Sequence, residues 1–573
     1  MTPDGHRGDT LAPLGRGVMA APVTATEYAS PVKKVLLDAS VVTRCRRRVH
    51  LENDPSAPDQ PPGALDLGVE QRIADAAEHR RAVAKELGRL HGADWTDVPH
   101  GPARDRAERT LAAMRAGTRY ISNAQLPSDE AGGRRGTVDL LVRSGDGYVP
   151  VLVVRHKVTD PGRGARVSPL ERPDPGAASI DTARKVRPQP RDQLRLAHAV
   201  RLLQACGMGA AANLGGVIGV EADVVVWHDL AAPNWPGGRT ALTEYEARFA
   251  DRLSVATAAA AGAEPLAQPS RITECRTCPW WPVCEQQLRE RRDVSLVVRG
   301  EDATVLRSRG VATVDELAAV PLEQAEELAL SGVSGTDAIL LAKAWLRDLP
   351  LVRRVRELSV PRADVEVDVD MESYADAGAY LWGCWLSGAD VGEEPGYRAF
   401  VSWEPLPSDD EGRSFAEFWT WFSSVRRRAY ERGLSFRAYC YNELAENRWM
   451  LASAQRFAGK PGVPTVAEVR EFIRSAEWVD LFTSVREQFL CPNGKGLKVI
   501  APSAGFGWRD AEASGENSMR WYRDAVGLGG GTPVLSQRDR ILRYNEDDVR
   551  ATWTIRRWMT TDAVHDVPYA GDL

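Results

Sequence analysis

A multidomain α/β protein is predicted by three observations. The chain has 573 residues, about four times the usual domain length and more than one hydrophobic core normally serves. Strand-like alternation mixed with helical spacing occurs in two separate stretches, with a purely helical stretch of roughly 60 residues between them. The composition, 43% hydrophobic and 27% charged with 17 Trp, is that of a folded globular chain and excludes a wholly disordered, collagen-like or disulfide-stapled one.

In the first α/β stretch, order is expected from about residue 30. Val69–Leu90 carries Ile73, Ala76, Val83, Leu87 and Leu90 at helical spacing. Gly136–Val158 reads as two strands joined by the hairpin signal Ser144-Gly-Asp-Gly147. Asp160–Gln189, full of Pro, Gly and Arg, reads as a mobile loop; Arg191–Cys206 returns to helix and Gly215–Trp227 to strand. The second stretch opens with the strand patterns VEVDVDM, AYLWGCWL and YRAFVSW and closes with a helix at Arg550–Met559. The expected division is a disordered N-terminus (1–28), an α/β domain (29–292), a small helical domain (293–357) and a second α/β domain (358–565).

Charge narrows the function classes. Seventy-nine acids against 73 Lys plus Arg leave a net charge of −6, which excludes a protein that coats nucleic acid by bulk positive charge but not an enzyme holding cations on carboxylates. The start, MTPDGHRGDT, shows no basic stretch followed by an apolar one. The longest uncharged run, Leu202–Val220, contains Gln204, Asn213 and five glycines. A cytoplasmic protein with no membrane partner is therefore expected.

Three of the eight cysteines cluster as Cys275-x2-Cys278-x5-Cys284. In a reducing compartment such spacing points to metal before disulfide, and thiolates suit both iron–sulfur clusters and zinc. Cys45, beside Arg44, Arg46, Arg47 and Arg48 at the start of the same domain, is the candidate fourth ligand. A distant cysteine plus a close triplet suits a 4Fe-4S cluster better than zinc, which is the alternative. Cys206, Cys384, Cys440 and Cys491 read as core residues.

This cysteine pattern, framing a nuclease-like core, resembles the RecB-like iron–sulfur nucleases, the group containing CRISPR-associated exonucleases and the AddB nuclease module; with the C-terminal motifs below, the resemblance covers residues 30–560. It implies a PD-(D/E)xK restriction-endonuclease-like core in which one strand supplies an Asp and the next an acid and a lysine, to hold Mg²⁺ and position water. Asp139 in GTVDLLVR matches the first acid, and Lys157 matches the lysine. Two residues before it, Arg155 stands in place of the second acid, and strand alternation would keep Arg155 and Lys157 on one face. The helix DQLRLAHAV keeps the family's Gln193 but has Ala197 in the tyrosine place, whereas His79 matches an upstream histidine. The expectation is a degenerate or weakly active domain that binds DNA; for Asp139 alone, an ordinary strand-end aspartate is the alternative.

In VEVDVDME, alternation puts Val365, Val367, Val369 and Met371 on one face and Glu366, Asp368, Asp370 and Glu372 on the other. Four acids on one face repel, and a cation would offset that; a solvated acidic edge is the alternative. Tyr544 and Asp548, at i and i+4 of a helix, share a face. The D-x-E strand and Y-x3-D helix resemble the DEDD exonucleases of the RNase H-like fold, in the subgroup that uses tyrosine. The resemblance implies that Asp370, Glu372 and Asp548 bind two Mg²⁺ or Mn²⁺ ions about 4 Å apart while Tyr544 handles the attacking water. Glu446, after the strand FRAYCY, takes the remaining acid's place, where the pattern has Asp; Asp480 is the fallback. In the helical stretch, the turns Gly310-Val-Ala-Thr313 and Gly332-Val-Ser-Gly335 resemble helix-hairpin-helix elements, whose backbone amides meet DNA phosphates.

These resemblances imply a metal-dependent nuclease that cleaves DNA from a single-stranded end in the 3′ to 5′ direction, together with a helicase, repair or CRISPR-associated partner. The rivals are a non-catalytic DNA-binding scaffold stapled by its cluster, and an exonuclease acting on RNA.

Overall fold

The computed structural model describes residues 34–60 and 67–573, with side chains omitted for 67–71. The N-terminus expected to be disordered (1–28) lies outside the described residues. The architecture is mixed α/β with several sheets.

In the first α/β unit, helix α1 (Leu67–His91) forms where its spacing predicts and buries Val83 and Leu87, whereas Ile73 of the same spacing is exposed. The strands β1 (Trp95–Asp97), β2 (Tyr120–Asp129), β3 (Arg134–Ser144), β4 (Gly147–Val153), β5 (Arg166–Pro169), β6 (Ser179–Ile180), β7 (Leu214–Ile218) and β8 (Val224–Asp229) form one sheet in the order β1-β2-β3-β4-β7-β8-β5-β6. β3 and β4 are the expected hairpin, with Gly145 at positive φ in the turn. Helix α2 (Pro190–Ala205) packs on β4, β7 and β3, and helix α3 (Ala241–Ala260) on α2 and the short helix Arg46–Leu51.

Three expectations need correction. Asp160–Gln189 is not a structureless loop, because Thr159–Pro161 pairs with Arg184–Val186 and β5 adds to the sheet beside β8. Gly215–Trp227 is two antiparallel strands rather than one. β4 stops at Val153, so Arg155 and Lys157 are not alternating strand residues. Their segment leaves the ladder where polar partners draw it away: His156 Nε2 lies 2.8 Å from Asp192 Oδ2, and Arg155 pairs with Asp75 on α1.

The middle unit is helical: Glu301–Ser308, Val314–Ala319 and Gly335–Leu346 close over Leu296, Leu306, Leu317 and Ile339. Its two glycine turns are already satisfied from within. The amides of Ser331 and Gly332 donate to the Asp302 carboxylate at 2.8 Å each, and those of Ala312 and Thr313 donate to Glu316. Carboxylates of this chain thus hold the donors that a helix-hairpin-helix would offer to phosphate.

In the last unit, β9 (Val365–Tyr374), β10 (Gly378–Gly388), β11 (Gly396–Val401), β12 (Phe436–Cys440) and β13 (Trp478–Asp480) lie in the order β11-β10-β9-β12-β13. The first three strands are antiparallel, and β12 and β13 run parallel to β9, the 3-2-1-4-5 order expected of an RNase H-like sheet. Val365, Val367, Val369 and Met371 pack with Phe415, Phe418 and Phe422 of helix α4 (Asp410–Glu431). The opposite, acidic face of β9 receives helix α7 (Ser536–Trp558); α5 (Leu444–Arg456) and α6 (Gly515–Val526) flank it. α7 spans Ser536–Trp558, a longer helix than the Arg550–Met559 expected, and Tyr544 and Asp548 lie mid-helix.

α6 also packs against α1, joining the two α/β units. At that junction Asp75 of α1 accepts from Arg155 at 3.1 Å and from the Tyr374 hydroxyl at 3.2 Å, with Arg523 of α6 at 3.8 Å.

Candidate active site

The acidic face of β9 divides in two. Near its start, Glu366 and Asp368 face Arg556 of α7, and all three are buried. Arg556 donates to Glu366 and, with Nε at 3.1 Å and Nη2 at 2.7 Å, forks onto Asp368. Arg362 and the Tyr439 hydroxyl complete the cage around Glu366. Despite burial, these hydrogen bonds and the Arg556 charge lower the Glu366 carboxyl to about 2. The cation that the acidic pattern called for is, for this half, a guanidinium of the same chain.

One turn of the pleat onward, no guanidinium arrives among the described residues. One oxygen each from Asp370, Glu372 and Asp548 lie within 4.8 Å of one another. Burial, then the charges of Asp548, Glu372 and Glu446, push Asp370 well above the usual carboxylate range. Burial likewise raises Glu372 to about 8 and raises Asp548. Glu446, in the first turn of α5, is 4% exposed, is raised by burial to about 8, and has an Oε2 with no hydrogen-bond partner. Three crowded acids and an orphaned fourth fit a divalent-cation site, since an ion would favour the ionised forms that burial penalises.

Neutral and cationic groups hold the acids in place. Asn545 Nδ2 donates to Asp370 Oδ2 at 2.7 Å and its Oδ1 accepts from the Tyr397 hydroxyl at 2.7 Å. Ser518 Oγ donates to Glu372 at 2.6 Å, and Trp508 Nε1 to Asp548 at 2.6 Å. Gly383, opposite Asp370 on β10, makes room for this, because a Cβ there would come 1.7 Å from Asn545 Oδ1. The Tyr544 hydroxyl hydrogen-bonds Asp548, and burial holds its pKa well above ordinary. Lys498 lies over the Tyr544 ring, with Nζ 4.7 Å from its centroid and 3.4 Å from its hydroxyl.

Asp480 serves elsewhere, capping the helix Leu481–Gln488 by accepting from the Phe482 amide. Asn545, Ser518, Trp508, Gly383 and Lys498 were not anticipated. Asn545 alone had a local signal, as the residue after Tyr544 on a functional helix; Lys498 lies in a turn-rich segment without motif or period.

In the first unit, Asp139 lines a groove of about 920 Å³ with Arg80, Arg81, Lys85, Arg106, Arg195 and Trp95. Its Oδ2 accepts from the Val153 amide at 2.9 Å, and Arg80 stands 3.9 Å from Oδ1. Burial raises the Asp139 pKa, against the charges of Arg195 and Arg80. Lys157 is not among the groove residues, and Arg155 has turned to Asp75. Asp97, overlooked in the sequence, also lines the groove, hydrogen-bonded by Ser122 at 2.5 Å. His79 bonds the Gly219 carbonyl, Gln193 accepts from Trp235, and Ala197 is buried core.

Cys45, Cys275, Cys278 and Cys284 line one small cavity, although no three of their sulfurs gather within 4.8 Å. Glu274 ties the two ends of the domain together there, accepting from the Cys45 amide at 2.7 Å and from Arg48 at 3.2 Å. Burial pushes the Cys284 thiol up to about 12. Cys384, Cys440 and Cys491 are buried as expected, and Cys206 is half-buried.

A family model for the RNase H superfamily matches residues 456–560. The C-terminal part of this chain is RNase H-like. The match takes in β13, α6 and α7, and so Tyr544 and Asp548, whereas Asp370, Glu372 and Glu446 precede it. No curated protein and no solved structure matched the chain. Among the described residues, no helix is long and apolar enough to cross a membrane.

Proposed function

We propose that the RNase H-like unit is a Mg²⁺- or Mn²⁺-dependent exonuclease that shortens single-stranded DNA from its 3′ end. The observation that carries this reading is the convergence of Asp370, Glu372 and Asp548, with the unpartnered Glu446 beside them. These four carboxylates would hold the ions, which when bound supply charge neutralisation at the scissile phosphate and a more acidic water. Asn545, Ser518 and Trp508 fix which carboxylate oxygens remain free. Tyr544, protonated at neutral pH because burial raises it so far, orients water as a hydrogen-bonding partner rather than removing its proton. Lys498, at the exposed rim, places a positive charge where a phosphate would approach.

In the same reading the first unit is a RecB-like domain that binds the strand without cutting it. Support comes from the groove's four arginines and Lys85, which outnumber its carboxylates Asp97 and Asp139, and from the four cysteines on one cavity. The close Cys275, Cys278 and Cys284 triplet with a distant Cys45 is the spacing that supports a 4Fe-4S cluster, with zinc as the alternative. Arg47 Nε and Trp280 Nε1, buried donors on that cavity's lining residues, lack acceptors and would suit its sulfur atoms.

The test is digestion of end-labelled single-stranded DNA and RNA, each with free or blocked 3′ and 5′ ends, by wild type and Asp370→Ala in Mg²⁺ or Mn²⁺. A ladder descending from free DNA 3′ ends, absent in the variant, is expected. Equal cleavage by the variant would move the chemistry elsewhere, and a preference for RNA would favour the second rival.

A further inference from the structure

A second cavity, of about 290 Å³, abuts the cysteine cavity and shares Cys275 and Trp281 with it; Arg271, Ile272, Thr273, Arg276 and Arg299 complete its lining. Three guanidinium groups thus meet where the cysteine-bearing segment joins the helical unit. Arg271 is held in place: its Nη1 donates to the Leu296 carbonyl at 3.0 Å, and its guanidinium lies over the Trp281 ring, 5.5 Å from the centroid. Arg276 and Arg299 are exposed, and among the described residues neither has a hydrogen bond or ion pair. The nearby acids are committed elsewhere, Glu285 to Arg289 at 2.9 Å and Glu274 to Arg48 and the Cys45 amide.

Most arginines in this chain meet a carboxylate; these three meet one another. Mutual repulsion around a cavity is relieved by an anion, and the planar guanidinium fork matches phosphate oxygens two at a time. The glycine turns of the helical unit have their amides occupied by Asp302 and Glu316, so at this junction the uncommitted phosphate donors are these side chains.

We propose that Arg271, Arg276 and Arg299 form a receptor for a backbone phosphate of single-stranded nucleic acid, separate from the carboxylate site. That the phosphate belongs to a strand rests on the nuclease reading; that the cavity takes a phosphate does not. Because Arg271 and Arg276 flank Cys275 in one short loop, whatever the thiols hold also sets the spacing of the receptor.

The experiment uses full-length wild type, Arg276→Gln/Arg299→Gln and Arg276→Lys/Arg299→Lys. Binding of a fluorescent oligothymidylate is measured in EDTA over a range of salt, with inorganic phosphate as a competing ligand in parallel. Each lost contact to a single-stranded phosphate should flatten the slope of log K against log salt by about 0.7. The receptor holds one phosphate, so the glutamine variant should lose about 0.7 in slope and at least about tenfold in affinity at low salt, while the lysine variant keeps most of the slope. Unchanged affinity and slope in a glutamine variant with wild-type melting would overturn the proposal. So would inorganic phosphate raising the melting temperature of wild type alone while oligonucleotide binding stays equal, since the site would then serve free phosphate. If the double variant fails to fold, single Arg299→Gln is judged by the same slope, with a smaller flattening expected and no change overturning. Mn²⁺-dependent hydrolysis of a p-nitrophenyl nucleotide ester separates the two readings. Wild type that cannot hydrolyse it but shows the slope difference sinks only the nuclease; wild type that hydrolyses it without the slope difference sinks only the receptor.

Discussion

Asp368 and Asp370 sit two residues apart on one face of β9, yet replacing each with Asn should move stability in opposite directions. Asp368 and Arg556 are both fully buried and paired through a two-pronged contact. Removing one member of such a pair costs about 3–5 kcal/mol. Glu366 still faces Arg556, so about 3 kcal/mol is expected, a fall in Tm of roughly 6–12 °C for a domain of this size. Asp370 has like charges as neighbours. Two unit charges 4.8 Å apart repel by about 3.5 kcal/mol at an effective dielectric constant near 20. Partial protonation already relieves some of this at pH 7, which leaves a gain of about 1–2 kcal/mol for Asp370→Asn. The replacement amide retains an oxygen to accept from Asn545.

The pH dependence sharpens the contrast. Glu372 rises from an ordinary 4.5 to about 8 in the folded chain. Its folded form is favoured fully below pH 4.5 and loses that advantage as pH climbs to about 8, by no more than about 5 kcal/mol. Metal-free wild type should therefore lose stability across this window, and Asp370→Asn less so. Since ions bind the deprotonated acids, the Tm increase caused by Mn²⁺ in wild type should grow from pH 6 to pH 9. Thermal melts by circular dichroism, in EDTA and in Mn²⁺, read all of this. If both variants destabilise equally, or if Asp370→Asn keeps the full Mn²⁺ shift, the division of the acidic face is refuted.

Gly383→Ala should displace Asn545 from Asp370 and lower cleavage at least about tenfold while costing about 1–3 kcal/mol, checked by single-turnover digestion and melting. Arg155→Ala should loosen the junction at Asp75 and Tyr374 at a cost of about 1–2 kcal/mol, seen as faster hydrogen exchange in α1 and α6. Cys284→Ser should abolish stoichiometric iron, measured by metal analysis and by loss of the thiolate-to-iron absorbance; stoichiometric zinc in wild type would remove the cluster. Asp139→Asn removes a carboxylate that faces Arg80 and Arg195, so binding of single-stranded DNA at low salt should tighten a few-fold in a fluorescence titration; weakening would point to a metal-mediated contact.

The second α/β unit was legible because β9 alternates strictly. Period two put valines against α4 and acids toward α7, and the i, i+4 pair on α7 then met the acids. Sequence could not divide the acids into two functions, since that depends on Arg556, 188 residues from Asp368 in the chain. Lys498, Ser518 and Trp508 stayed invisible for the same reason: each reaches the site from a loop or helix whose own periodicity says nothing of it. The four cysteines line one cavity, but the end of β4 was not legible. Alternation carried the pattern to Lys157, whereas contacts with Asp192 and Asp75 take the chain off the sheet after Val153.

That departure links the two α/β units. A second acid at position 155 would sit beside Asp75 and meet a like charge; the arginine there instead shares Asp75 with Tyr374, the last residue of the strand that carries Asp370 and Glu372. With its guanidinium 5.9 Å from the Tyr374 ring centroid, Arg155 braces the end of that strand. In the proposed RecB-like reading, Arg155 at the place of the second carboxylate thus gives the second unit a support, and the groove around Asp139, with five cationic side chains against the carboxylates Asp97 and Asp139, suits holding a polyanion better than holding a divalent ion.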